Sequence, residues 1–120
     1  MPELRIKTDL PPDTVLRLAE DAAEDQKYEI ENAREDEFHA RKGSLTASIF
    51  FGAFILYADF YVTVDETKKG GTLLKVTWST PWWTGLIGAS RTKSAAKMYA
   101  DLIEDLIEDD EGAVIDRIDP

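Results

Sequence analysis

Apolar and polar positions alternate along much of this chain, and the alternation changes period where the architecture changes. The clearest stretch runs from Phe54 to Thr80. Phe54, Leu56, Ala58, Phe60, Val62 and Val64 fall on one side of a two-residue period, and Leu74, Val76 and Trp78 continue that side further on. Side chains of a strand alternate between its faces, so these nine residues predict one buried face of a hairpin. The strands are expected at Phe54–Val64 and Thr72–Thr80. The connection is Asp65–Gly71, a polar stretch closed by Gly70 and Gly71. The other face carries Ile55, Tyr57, Asp59, Tyr61 and Thr63 with Leu73, Lys75, Thr77 and Ser79. Two tyrosines and an isoleucine on that face predict that something covers it, and self-association through Ile55, Tyr57 and Tyr61 is one way.

Three shorter stretches also alternate. Leu4 and Ile6 mark a strand over Glu3–Lys7. Tyr28 and Ile30 mark one over Lys27–Asn32, and Phe38 and Ala40 one over Glu37–Lys42. The last two are joined by the polar turn Asn32–Asp36 and predict a second hairpin. Two segments show helical spacing instead. Val15, Leu18, Ala19, Ala22 and Ala23 follow Pro11–Pro12–Asp13, where proline suits a first turn and an acid suits the helix dipole. Ala95, Met98, Tyr99, Leu102, Ile103, Leu106 and Ile107 predict a long amphipathic helix, capped by Ser90 or Thr92 and ending near Asp109, with Gly112 as its stop. Acids crowd its C-terminal end, so its last turn is expected to fray. Gly43–Ala53 fits either period and is read as a loop with a helical turn.

The expected order is β-α-β-β-β-β-α: an α+β fold with an antiparallel sheet and two helices on one face. In outline it is similar to helix-grip and TATA-binding-protein-like domains, in which a long C-terminal helix lies against a curved antiparallel sheet. That resemblance is one of topology and names no function. Residues 1–112 are read as a single domain. Residues 113–120 are read as a tail that either adds an edge strand through Val114 and Ile115 or is disordered.

Composition narrows the function classes. The chain of 120 residues has a formal net charge of −10, a sign that argues against nucleic acid and anionic membranes as general partners. It has no cysteine, which removes disulfides and thiolate chemistry. A cytoplasmic location is compatible, and no secretory signal is read at Met1–Lys7. The uncharged run Gly43–Ala58 imitates a membrane span, but it falls short of the roughly 20 residues a spanning helix needs.

Motifs for chemistry are sparse. The single histidine, His39, could act as a base oriented by Glu37, with Asp59 nearby; a zinc site would lack further histidines and any cysteine. Gly85–Ser94 resembles a phosphate loop only superficially, because Thr92 rather than glycine precedes Lys93. The acids of Asp101–Glu111 are interrupted at helical spacing, unlike a calcium loop. No cofactor, metal site or catalytic set is read. Trp82 and Trp83 are more informative. Adjacent residues of an extended chain point opposite ways, so both rings cannot enter one core. With Arg91 and Lys93 they predict an apolar groove rimmed by Pro81–Lys93, suited to a small ligand with an apolar part and an acidic group. The expected function is a non-enzymatic binding or interaction module. The alternatives are a small enzyme using His39, Glu37 and Asp59, or a structural subunit that oligomerises through the sheet face.

Overall fold

The computed structural model describes residues 3–42, 58–78 and 85–119, with the side chains of Lys42, Ala58 and residues 85–91 outside that description. The strands are β1 (Glu3–Thr8), β2 (Glu29–Glu31), β3 (Glu37–Lys42), β4 (Ala58–Glu66), β5 (Thr72–Trp78) and β6 (Val114–Ile118). The helices are α1 (Pro12–Asp25), between β1 and β2, and α2 (Gly85–Asp109), between β5 and β6. All the strands join one antiparallel sheet in the order β2-β3-β4-β5-β1-β6. The α+β class and the order of elements are those the alternation predicts, with β6 added at the edge. Residues 43–57, including the ambiguous Gly43–Ala53 stretch and the start of the expected Phe54–Val64 strand, lie outside the described residues.

The central hairpin has the predicted phase. Phe60 pairs with Trp78, Val62 with Val76 and Val64 with Leu74, and all six are buried. Both helices pack on that face. α1 covers β2 to β5, while α2 packs on α1, β1 and β6. Alanines make the close approach possible: Ala19, Ala22 and Ala23 of α1 and Ala96 and Ala100 of α2 are fully buried. An aromatic cluster fills the space they leave. Phe60 sits 5.4 Å from Tyr28, 5.9 Å from Tyr99 in a stacked arrangement and 5.9 Å edge-on to Trp78. The Tyr99 hydroxyl donates to the Ala19 carbonyl at 2.7 Å, so its buried oxygen is satisfied.

Both helices close their C-termini with a residue in the left-handed region. After α1 it is Lys27 (φ 69°), and Tyr28 N–H reaches back to the Ala23 carbonyl at 2.8 Å. After α2 it is Glu111 (φ 63°), and Gly112 N–H reaches the Ile107 carbonyl at 2.8 Å.

Helix α2 departs from expectation in two respects. It begins at Gly85 and runs through Gly88, so Ser90 and Thr92 lie inside it rather than capping it. A glycine inside a helix costs about 1 kcal/mol relative to alanine, which a helix of this length absorbs. Its buried stripe is Thr92, Ala95, Ala96, Tyr99, Ala100, Ile103 and Ile107, whereas Met98 points outward at 64% exposure.

The tail is ordered as the edge strand β6. Its partner is β1, with Ile6 opposite Arg117 and Lys7 opposite Asp116, and the register shifts beside Val114. Arg117 pins it to α2. The guanidinium lies 2.6 Å from Asp101, 3.3 Å from Glu104 and 2.8 Å from Asp119. Partial burial disfavours its charge, but the hydrogen bonds to Asp101 and Asp119 and the nearby acids prevail and hold its pKa above the ordinary arginine value.

The β4–β5 turn is docked on β1 at Gly71. A Cβ there would fall far inside contact distance of the Thr8 carbonyl oxygen, a backbone atom that cannot swing away. Gly71→Ala is therefore expected to destabilise the fold by roughly 1–3 kcal/mol, as overpacking does. Urea unfolding measures this, and an unchanged midpoint would show that the turn is not seated on β1.

Candidate functional site

The face of the sheet opposite the helices carries the chain's one histidine in an ordered polar row. In register across the strands stand Glu31 (β2), His39 (β3), Tyr61 (β4) and Thr77 (β5). The neighbouring row holds Glu29, Arg41 and Asp59. Strand alternation places these side chains on one face, because Phe38, Ala40, Phe60 and Val62 between them turn into the core.

His39 is held on three sides. Its Nε2 contacts Asp59 Oδ1, and its Nδ1 lies 3.9 Å from Glu31 Oε2. Its ring stacks flat on Tyr61, with centroids 4.4 Å apart and an interplanar angle of 8°. Glu31 is itself fixed by Arg41 Nη2 at 2.5 Å. The two carboxylates address opposite ring nitrogens, so they do not converge on one ion; among the described residues no group of three His, Asp or Glu could hold a metal. Tyr61 remains 52% exposed. A groove of about 210 Å³ opens beside it, lined by Asn32, Arg34, Glu37, His39, Tyr61 and Thr63 among others.

The structure brings together part of what the sequence singles out. His39 and Asp59 meet. Glu37 does not orient His39; it pairs with Arg34 at 3.4 Å. The carboxylate facing the other ring nitrogen belongs to Glu31, which sequence reasoning missed. The register of the Lys27–Lys42 hairpin was the signal that could have found it, since Glu31 stands directly opposite His39. Of the proposed rim, Trp82 and Trp83 lie outside the described residues, Arg91 lies in α2 with its side chain undescribed, and Lys93 is exposed on α2. Ile55 and Tyr57 lie outside the described residues, which leaves Tyr61 as the described member of the expected self-association set. Among the described residues no helix is long and apolar enough to cross a membrane.

The chain matches no protein-family model and no curated protein with which it was compared.

Proposed function

We propose that the chain is a non-enzymatic binding module that meets its partner on the outer face of the sheet, with Tyr61 as an anchor. One observation supports this above the others. His39 Nε2 is held by Asp59, Nδ1 faces Glu31 across 3.9 Å, beyond hydrogen-bond distance, and the ring is stacked on Tyr61. His39 thus serves as a support that holds Tyr61 in one orientation. A half-exposed aromatic ring already fixed in place loses little conformational freedom on binding, which suits an anchor.

The partner is a second copy of this chain. Around Tyr61 the outer face carries both signs side by side, as Glu31 with Arg41, so it can complement itself. The segment Pro81–Lys93, with Trp82, Trp83, Arg91 and Lys93, is a separate candidate partner surface, because the helix that carries Arg91 and Lys93 packs on the other face of the sheet. The enzymatic alternative draws on His39, which lines the groove and is held by Asp59; it requires activity that disappears in His39→Gln while assembly persists.

Sedimentation equilibrium tests the proposal. The wild-type chain is expected to dimerise, and Tyr61→Ala to be monomeric, with stability changed by less than about 1 kcal/mol because the ring is a surface one. A wild-type chain that stays monomeric, or a variant that dimerises equally well, would overturn it.

A further inference from the structure

A second feature of the molecule lies at the far end of the sheet, around the β4–β5 turn. Two adjoining depressions of about 390 and 370 Å³ share Lys7, Thr67 and Lys68 in their walls. Leu73 and Ile118 contribute apolar surface to the first, and Ile115 and Lys69 belong to the second. We infer that this surface is a binding site for a small organic anion, a phosphate or carboxylate group carried on an apolar body.

The charges are unevenly committed. In the first depression Arg5 pairs with Glu3 and Asp65 with Lys75, while Glu66 and Asp116 keep their charge. In the second, Asp9, which accepts the Ala113 N–H at 2.8 Å, is the one acid beside Lys7, Lys68 and Lys69, so this depression is the more positive. Among the described residues, the ammonium groups of Lys7, Lys68 and Lys69 make no hydrogen bond or ion pair, and all three side chains are exposed. Three uncommitted ammonium groups around one depression are conspicuous in a chain of net charge −10.

The lysines are also presented on a fixed loop. Thr67 N–H donates to the Gly71 carbonyl at 2.9 Å, Gly70 N–H to the Thr67 carbonyl at 3.1 Å and Gly71 N–H to Thr67 Oγ1 at 3.1 Å. Gly71 seats that loop on the Thr8 backbone. The site is thus built before a ligand arrives, which lowers the entropic cost of binding.

Size and charge select the ligand class. Each depression falls within the range of roughly 300–1,000 Å³ usual for small-molecule sites. An extended polyanion or a charged membrane would meet the repulsion of the whole acidic chain. A small anion reads only charges within about 8 Å, the screening length at physiological salt. Lysine, a flexible point charge, suits either phosphate or carboxylate.

The test uses the intact chain with naphthyl phosphate as the probe, and naphthol and inorganic phosphate as partial probes, followed by amide NMR. Shifts are expected at Lys7, Lys68, Lys69, Leu73 and Ile118, larger for naphthyl phosphate than for either part. The double variant K68E/K69E, both changes at exposed turn positions, should keep its thermal midpoint and bind roughly tenfold or more weakly. Repeating the titration in Tyr61→Ala, where this site is untouched, separates it from self-association. Absence of shifts at these residues, or undiminished binding by K68E/K69E, would overturn the site. So would sedimentation with phosphatidic-acid vesicles without capture of the soluble probe, which would place the anion on a lipid surface.

Discussion

Phe60→Ala is expected to cost roughly 3–5 kcal/mol, the range of large-to-small changes in a packed core. Phe60 is fully buried and its ring packs on three others: Tyr28 from the connection between α1 and β2, Trp78 from β5 and Tyr99 from α2. It is the point at which both helices and the sheet meet. Truncation removes the ring and leaves a cavity whose walls are themselves large and interlocked, so little collapse can refill it. A typical domain has only about 5–15 kcal/mol in total, so the variant should be marginal at physiological temperature. Denaturant unfolding measures the change. A loss below about 1 kcal/mol would mean that β4 is out of register by one residue, with Tyr61 inward in place of Phe60.

Alkali should unfold the chain cooperatively. Burial raises the Tyr28 hydroxyl from 10.0 to about 12. Tyr99 is pushed well above its ordinary value, first by burial and then by the negative charges of Tyr28 and Glu20. The Tyr99 hydroxyl also donates to the Ala19 carbonyl, and an ionised oxygen would turn that contact into repulsion between two acceptors. Both folded-state values are raised, so the folded chain holds these protons more tightly than the unfolded chain does. The stability linked to them is complete below pH 10 and is lost as pH climbs toward about 12. The part of the tyrosinate absorbance that belongs to Tyr28 and Tyr99 should rise together with the loss of near-ultraviolet circular dichroism. Titration of Tyr28 and Tyr99 with the fold retained would contradict the buried cluster.

The sequence made the hairpin legible because strand alternation is a local signal: Phe60, Val62, Val64, Leu74, Val76 and Trp78 declare their face by spacing alone. The face of α2 was harder to read. Met98 fits a stripe with Leu102 and Leu106, but the helix turns toward Ala96 and Ala100, whose small side chains allow close packing on α1 and carry little hydrophobic signal. β6 was only one of two readings of the tail. Its pairing with β1 is made across almost the whole chain, and its anchor is an arginine on acids of α2 rather than an apolar pattern.

The candidate site was half legible for the same reason. His39, Asp59 and Tyr61 could each be placed on the outer face by alternation, whereas their meeting depends on the register between β3 and β4. Glu31 required a second register, between β2 and β3. Local pattern assigns faces, and long-range pairing assigns neighbours. The unpaired lysines Lys7 and Lys68 illustrate the latter, since β1 and the β4–β5 turn are far apart in the chain and side by side in the sheet.

The central claim is that Tyr61, held by His39, is where two copies meet. Isotope-filtered NMR on an equal mixture of labelled and unlabelled chain tests it most directly, because only contacts between copies give signal. The predicted result is a set of cross-copy contacts to the Tyr61 ring that vanish when His39→Gln removes its support. Cross-copy contacts confined to other surfaces, or none at concentrations where the chain is a dimer by sedimentation, would contradict it.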